Sequence, residues 1–163
     1  NRALKNALEF WLVFLFLLFD ILFRLPLTLS ANSSWENYSR NSNLHYPYRA
    51  VNFLTTQKPG IIFNRYEWGG FLIWRLPQFR VFVDGRMPAW PTPSGKSPYA
   101  IYLETLQTKP GWQETLRDYN IDWILISPGT FMDLLLRDNP EGFGWQEVYR
   151  DKISVVYKKY ENR

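Results

Sequence analysis

The segment 60–86 constrains the fold most, because it holds two short apolar runs separated by a helical pattern. Ile61–Phe63 and Val81–Val83 are bounded by Gly, Pro and charged residues, which is typical of strands buried on both faces. Between them, apolar residues recur at helical spacing from Glu67 to Leu76. The segment predicts a strand–helix–strand unit in which parallel strands would end at the same edge of the sheet.

Polar residues follow each of these two predicted strands. Asn64 and Arg65 come after the first, and Asp84 and Arg86 after the second. Open α/β sheets bind ligands at the edge where parallel strands end, so this set would suit a polar or anionic ligand. The structural alternative is that Asp84 and Arg86 simply pair with each other or cap a turn.

The rest of the second half completes a small sheet. Ile121–Ile126 reads as a third buried strand, ending at Ser127, and 145–157 alternates around a turn as an antiparallel hairpin does. Ser97 precedes a proline and predicts a helix start. We therefore expect an α/β fold with a small, mostly parallel sheet of about five strands, flanking helices and a C-terminal hairpin.

The N-terminal segment is strongly apolar, with no charged residue from Phe10 to Phe19. This length of apolar sequence predicts a transmembrane helix over 1–27, followed by a polar linker over 28–45 and a domain over 46–163. A signal peptide is the main competing interpretation, but its apolar core is usually shorter. The basic residues before the helix favour a cytoplasmic N-terminus, which places the domain outside the cytoplasm.

Three residues near this segment and in a later loop are candidates for membrane or partner contact. Asp20 and Arg24 are four residues apart and can meet on one helical face. A carboxylate at this depth indicates that one face of the helix meets protein rather than lipid. Trp90 lies in a proline-rich loop after Arg86 and can anchor that loop on a ligand or membrane.

Composition excludes several classes of function. The chain has no cysteine and one histidine, His45, so thiolate chemistry and a histidine-based metal site or triad are not expected. The net charge of +4 is scattered along the chain, which does not favour nucleic-acid binding. Aromatic residues make up 18% of the chain, as in membrane proteins and interface-rich subunits. We expect no cofactor, no metal and no catalytic residue in this chain.

Several segments resemble the C-terminal extracytoplasmic domain of bacterial polytopic membrane proteins of the GT-C glycosyltransferase type. The likeness covers roughly 46–158 and is carried by Phe63–Trp74, Val81–Arg86, Trp112–Leu116, Asp122–Ile126 and Trp145–Asp151. The resemblance implies a bacterial inner-membrane location, with a glycan or lipid-linked sugar and other membrane subunits as partners. It also implies that the catalytic carboxylate belongs to a loop that is not in these residues.

A looser similarity connects Tyr66–Gly69 and Asp84–Gly85 to the Trp-Trp-Asp-Tyr-Gly region of oligosaccharyltransferase catalytic subunits, although Trp-Trp-Asp itself is missing. That region helps to hold the acceptor peptide. This similarity, together with the polar residues at the predicted strand ends, makes the candidate acceptor-binding residues Asn64, Arg65, Glu67, Trp68, Asp84 and Arg86. The alternative function is a single-pass accessory subunit of a larger membrane complex.

Overall fold

The computed structural model describes residues 2–26, 45–86 and 95–160. By its internal contacts the chain divides into two compact units, Asn1–His45 and Tyr46–Arg163. The predicted linker over 28–45 lies outside the described residues except for His45, which is exposed. Trp90 and most of its proline-rich loop also lie outside them.

The first unit contains helix α1, Arg2–Phe19, which continues as a π-helical segment, Asp20–Arg24. Large apolar side chains from Leu8 to Leu25 are exposed. Within 2–26, 45–86 and 95–160, no helix is both long and apolar enough to cross a membrane. This finding corrects the predicted transmembrane helix over 1–27. The α-helical part has only 18 residues, and three charged residues occupy its first eight positions.

The second unit is an α/β domain of short elements. Its helices are α2 (Tyr48–Leu54), α3 (Gly69–Arg75), α4 (Pro98–Leu106), α5 (Trp112–Asp118), α6 (Phe131–Asp138) and α7 (Pro140–Phe143), with a 3-10 turn at Tyr66–Trp68. Its strands are β1 (Ile61–Asn64), β2 (Arg80–Val81), β3 (Trp123–Ile126), β4 (Trp145–Arg150) and β5 (Val155–Lys159).

The five strands form one sheet in the order β2-β1-β3-β5-β4. Strand β1 pairs in parallel with β2 and β3, which confirms the predicted parallel unit. Strand β5 pairs antiparallel with both β3 and β4. The sheet is therefore mixed, and the prediction of a mostly parallel sheet was wrong. The reason is that the C-terminal hairpin joins the sheet through its second strand, β5, which is antiparallel to β3.

The core of the domain follows the sheet. Phe63, Ile124 and Tyr157 stand side by side on three neighbouring strands, and none of them is exposed. All four residues of β3 are buried, which explains why its sequence is apolar without alternation. Burying each large side chain stabilises the fold by about 1.5–3 kcal/mol. Ser97 caps α4 as predicted, since its Oγ accepts a hydrogen bond from Ala100 N at 3.1 Å.

Candidate functional site

The ends of three parallel strands meet at one edge of the sheet, which we call the carboxyl edge. It is defined by Asn64 at the end of β1, Asp84 after β2 and Ser127 after β3. Arg65 N donates to Leu125 O at 3.1 Å, and Arg65 Nη1 donates to Ser127 Oγ at 2.7 Å. Asn64, Asp84 and Ser127 thus lie along one edge of the sheet, because β1 is parallel to both β2 and β3.

Asn64 holds this edge together from inside the protein. Its side chain is fully buried; its Nδ2 donates to Val83 O at 2.8 Å and to Arg65 O at 2.9 Å. Its Oδ1 accepts from Phe82 N at 3.0 Å and from Val83 N at 3.4 Å. Both amide protons are used by the backbone, so Asn64 positions the strand ends and does not contact an acceptor directly. This corrects its predicted role in acceptor contact.

Asp84 and Arg86 form a bidentate ion pair at this edge. Arg86 Nε and Nη2 donate to the two carboxylate oxygens at 2.9 and 2.8 Å, and Arg86 N also donates to Asp84 Oδ1 at 2.9 Å. The hydrogen bonds from the Arg86 side chain lower the pKa of Asp84 despite its burial. Asp84 is therefore ionised and buried, whereas the Arg86 side chain is 68% exposed.

Arg65 links two further predicted residues. Its Nε donates to Glu67 Oε2 at 2.8 Å, and both side chains of this pair are partly exposed. Its guanidinium lies 5.6 Å from the ring centre of Trp68. Trp68 itself is only 3% exposed, so it is a core residue and cannot stack on a sugar ring. The prediction that Trp68 contacts an acceptor was therefore wrong.

Two tyrosines supply the aromatic surface that Trp68 does not. Tyr66 and Tyr99 are half-buried, and their ring centres are 4.9 Å apart at an angle of 66°. Tyr66 Oη donates to Gly85 O at 3.3 Å, which places this ring beside Asp84 and Arg86. Tyr102 is buried, and this burial raises the pKa of its hydroxyl. The hydroxyl oxygen accepts a hydrogen bond from Tyr66 N at 3.2 Å.

A buried carboxylate cluster, formed by Asp133, Arg150 and Tyr157, is absent from the sequence predictions. Arg150 Nη2 donates to Asp133 Oδ1 at 2.6 Å, and Tyr157 Oη donates to the same oxygen at 2.5 Å. Asp133 Oδ2 accepts from Gly129 N at 2.7 Å. The signal that could have indicated it is Thr130-x-x-Asp133, a capping pattern at the start of α6, where Thr130 Oγ1 accepts from Asp133 N.

The cluster keeps its carboxylate ionised. Burial alone would raise the pKa of Asp133, but hydrogen bonds from Arg150, Tyr157 and Gly129 outweigh burial and lower it. Burial and the bond to Asp133 raise the pKa of Tyr157. Tyr157 is fully buried and the Asp133 side chain is 1% exposed, whereas the Arg150 side chain is 28% exposed. The buried carboxylate and hydroxyl of the cluster therefore stabilise the fold.

The predicted partner-contact residues of the first unit do pair. Arg24 Nη1 lies 3.5 Å from Asp20 Oδ1, which confirms that the two side chains meet on one helical face. The contact of this face with a partner stays a prediction.

In the part of the chain that the structure describes, no group of three His, Asp or Glu residues could hold a metal ion.

The charged side chains of the carboxyl edge lie in two ion pairs, Arg65 with Glu67 and Asp84 with Arg86. Its ionised acid, Asp84, is already held by Arg86, and a general acid or base needs a pKa near the working pH. The edge presents the exposed parts of the Arg86, Arg65 and Glu67 side chains, together with Tyr66.

No protein-family model, curated protein or solved structure matches this chain.

Proposed function

We propose that residues 46–163 form the acceptor-binding domain of a membrane glycosyltransferase-like protein of the GT-C type. In this proposal the domain contributes contacts with the acceptor and does not perform the chemical step. The observation that carries it is the position of Tyr66 Oη, 3.3 Å from Gly85 O, next to the exposed Arg86. The Tyr66 hydroxyl is thereby held against the Asp84–Arg86 segment, at the edge where α/β sheets bind ligands.

These groups suit a sugar or a polar acceptor. A half-buried tyrosine offers an apolar face to a sugar ring and a hydroxyl to its polar atoms. Arg86 and Glu67 add charge-assisted hydrogen bonds of opposite polarity, which can orient hydroxyl, amide or carboxylate groups. Asp84 acts as a positioning residue, because its two carboxylate oxygens accept hydrogen bonds from the Arg86 guanidinium and so set its orientation.

The proposal places the domain on the outer face of a bacterial inner membrane. Its expected partners are the membrane, other membrane subunits, and a glycan or lipid-linked sugar. The exposed apolar side chains from Leu8 to Leu25 support contact with lipid or with a partner helix. No nucleic acid and no cofactor are part of the proposal.

The test is glycosyl transfer in membranes that contain the full-length protein. We expect Arg86→Ala to raise the acceptor KM about tenfold or more, because a charged hydrogen bond contributes about 1.5–3 kcal/mol. Arg117→Ala is the matched control, since Arg117 is similarly exposed and also pairs with a carboxylate, Glu114, at 2.8 Å. An unchanged acceptor KM in folded Arg86→Ala protein would contradict the proposal.

A second candidate is an accessory subunit of a membrane complex. The exposed apolar side chains of α1, 38–64% exposed among its large residues, favour it because such a surface needs a covering partner or lipid. Extraction in mild detergent separates the two candidates. A stable stoichiometric complex without sugar-transfer activity would select the accessory subunit.

A further inference from the structure

The edge of the sheet opposite the carboxyl edge holds a cleft of about 250 Å³. We call it the lysine cleft. It lies where β1 and β3 begin and where β5 ends. Its lining residues are Lys58, Pro59, Asp122, Trp123, Lys158, Lys159 and Tyr160.

Backbone pairing brings these residues together. Trp123 stands opposite Lys158 in the antiparallel register, and Lys159 N donates to Asp122 O at 3.0 Å. Gly60 lets the Lys58 segment approach, because a Cβ at this position would lie only 2.5 Å from Asp122 Oδ2. The cleft is thus part of the folded sheet edge rather than a chance meeting of surface side chains.

Among the residues that the structure describes, three lysines and one acidic residue, Asp122, line the lysine cleft, so this described lining carries more positive than negative charge. This carboxylate already accepts a hydrogen bond from Ile61 N at 2.9 Å. The ammonium of Lys158 lies 5.7 Å from the ring centre of Trp123. This cation–π contact favours a position of the ammonium beside Trp123, which lines the cleft. Lys58 and Lys159 are both exposed.

The carboxyl edge differs in this respect. There Arg65 pairs with Glu67 and Arg86 pairs with Asp84, so each arginine has a carboxylate beside it. The described lining of the lysine cleft holds three lysines and one aspartate. An excess of positive charge in a concave site attracts anions and raises their local concentration.

We propose that the lysine cleft binds a phosphate group, supplied by a soluble phosphate ester or by the headgroup of an anionic lipid. Lysine binds phosphate as a point charge with three rotatable donors, and several ammonium groups can surround a doubly charged anion. Tyr160, a lining residue that is 40% exposed, carries a hydroxyl that can hydrogen-bond to the ester oxygens. This site is separate from the acceptor site proposed above and does not depend on it.

The test is an NMR titration of the full-length chain in polyoxyethylene-ether micelles, which carry neither phosphate nor sugar. One arm adds inorganic phosphate, and the other adds dihexanoyl phosphatidylglycerol. We expect the amide signals of Lys58 and Lys159 and the indole signal of Trp123 to shift in at least one arm. Shifts with inorganic phosphate indicate a soluble ligand, and shifts with the lipid alone indicate a headgroup.

Charge variants decide whether the cleft is responsible. K58E/K159E is expected to weaken binding at least tenfold, and K58Q/K159Q, which introduces no new charge, is expected to weaken it less. K152E is the matched control, because Lys152 is exposed at the β4–β5 turn, on the carboxyl edge. The proposal is overturned if neither probe shifts these signals, if K58E/K159E binds like the wild type, or if K152E weakens binding equally.

Discussion

Asn64 Nδ2 lies 2.8 Å from the carbonyl oxygen of Val83, and this hydrogen bond ties the end of β1 to the chain that leaves β2. Strand β2 is only two residues long, Arg80–Val81, so backbone pairing alone holds it weakly. The Asn64 side chain extends the pairing beyond the strand, because it also accepts from Phe82 N and Val83 N. The position of Asp84 therefore depends on Asn64.

Asn64→Ala tests this dependence. We expect the free energy of unfolding to fall by about 3 kcal/mol, because each buried backbone group left unpaired costs about 1–3 kcal/mol. Urea unfolding followed by tryptophan fluorescence measures the change, and hydrogen exchange of the Val83 amide should become faster. Asn52→Ala, at an exposed position of α2, is the control and should change stability by less than about 0.5 kcal/mol. Equal stability of the two variants would contradict the role given to Asn64.

Two neighbouring glycines provide a matched pair at the start of α3. A Cβ on Gly69 would collide with Val83 O and lie 2.7 Å from Asp84 Cα, whereas a Cβ on Gly70 would meet nothing within 4 Å. We expect Gly69→Ala to destabilise the domain by about 1–3 kcal/mol, as overpacking does. Gly70→Ala should be neutral or stabilising by about 1 kcal/mol or less, because alanine favours helix. Thermal unfolding of both variants checks this, and a neutral Gly69→Ala would contradict the close packing of α3 on Asp84.

Asp133→Asn removes the charge at the centre of the buried cluster. We expect a loss of about 1–3 kcal/mol of stability, because the amide nitrogen of asparagine cannot accept the hydrogen bonds from Gly129 N and Arg150 that Asp133 Oδ2 accepts. Arg150 keeps its second ion pair, with Glu147 at 2.6 Å. Asp138→Asn, in the same helix at an exposed position, should cost less than about 0.5 kcal/mol. Urea unfolding at neutral pH compares the two. Similar losses in both variants would show that the cluster contributes little.

Acid should destabilise the domain through Asp84 and Asp133. Both have a pKa lowered in the folded protein, so folding favours their ionised forms. Their contribution is complete above the ordinary aspartate pKa of about 3.9 and is lost as the pH falls through the lower folded pKa. Unfolding free energies measured from pH 7 down to about pH 2 should show this loss. Asp133→Asn should show a smaller loss, and an identical acid profile would contradict the assignment.

The parallel half of the fold could be predicted because its residues carry local signals. Ile61–Phe63 and Ile121–Ile126 are apolar runs between breakers, and buried parallel strands need such runs. The edge that they share then followed from the rule that parallel strands end together. The second strand was predicted over Val81–Val83 but is observed at Arg80–Val81. Beyond it, Phe82 N still donates to Ile62 O at 2.9 Å, and Asn64 Oδ1 accepts from Phe82 N and Val83 N.

The missing parts depend on contacts between distant residues. Trp68 lies at helical spacing with Phe71 and Leu72, and all three are buried, so the apolar pattern was a better guide to Trp68 than its similarity to an acceptor-binding motif. Asp133 and Arg150 are 17 positions apart, and only the antiparallel hairpin brings them together. The hairpin itself was predicted, but the strand on which it docks is set by tertiary packing and not by its own alternation.

The central claim is that the carboxyl edge binds the acceptor, and the most direct test is to map where a sugar binds. The isotope-labelled full-length chain in polyoxyethylene-ether micelles would be titrated with glucose, N-acetylglucosamine and glucuronic acid. We predict that at least one sugar shifts the amide signals of Tyr66, Gly85 and Arg86, and that Arg86→Ala abolishes these shifts while Arg117→Ala retains them. Absence of shifts at these three residues with every sugar, or shifts that persist in Arg86→Ala, would contradict the claim.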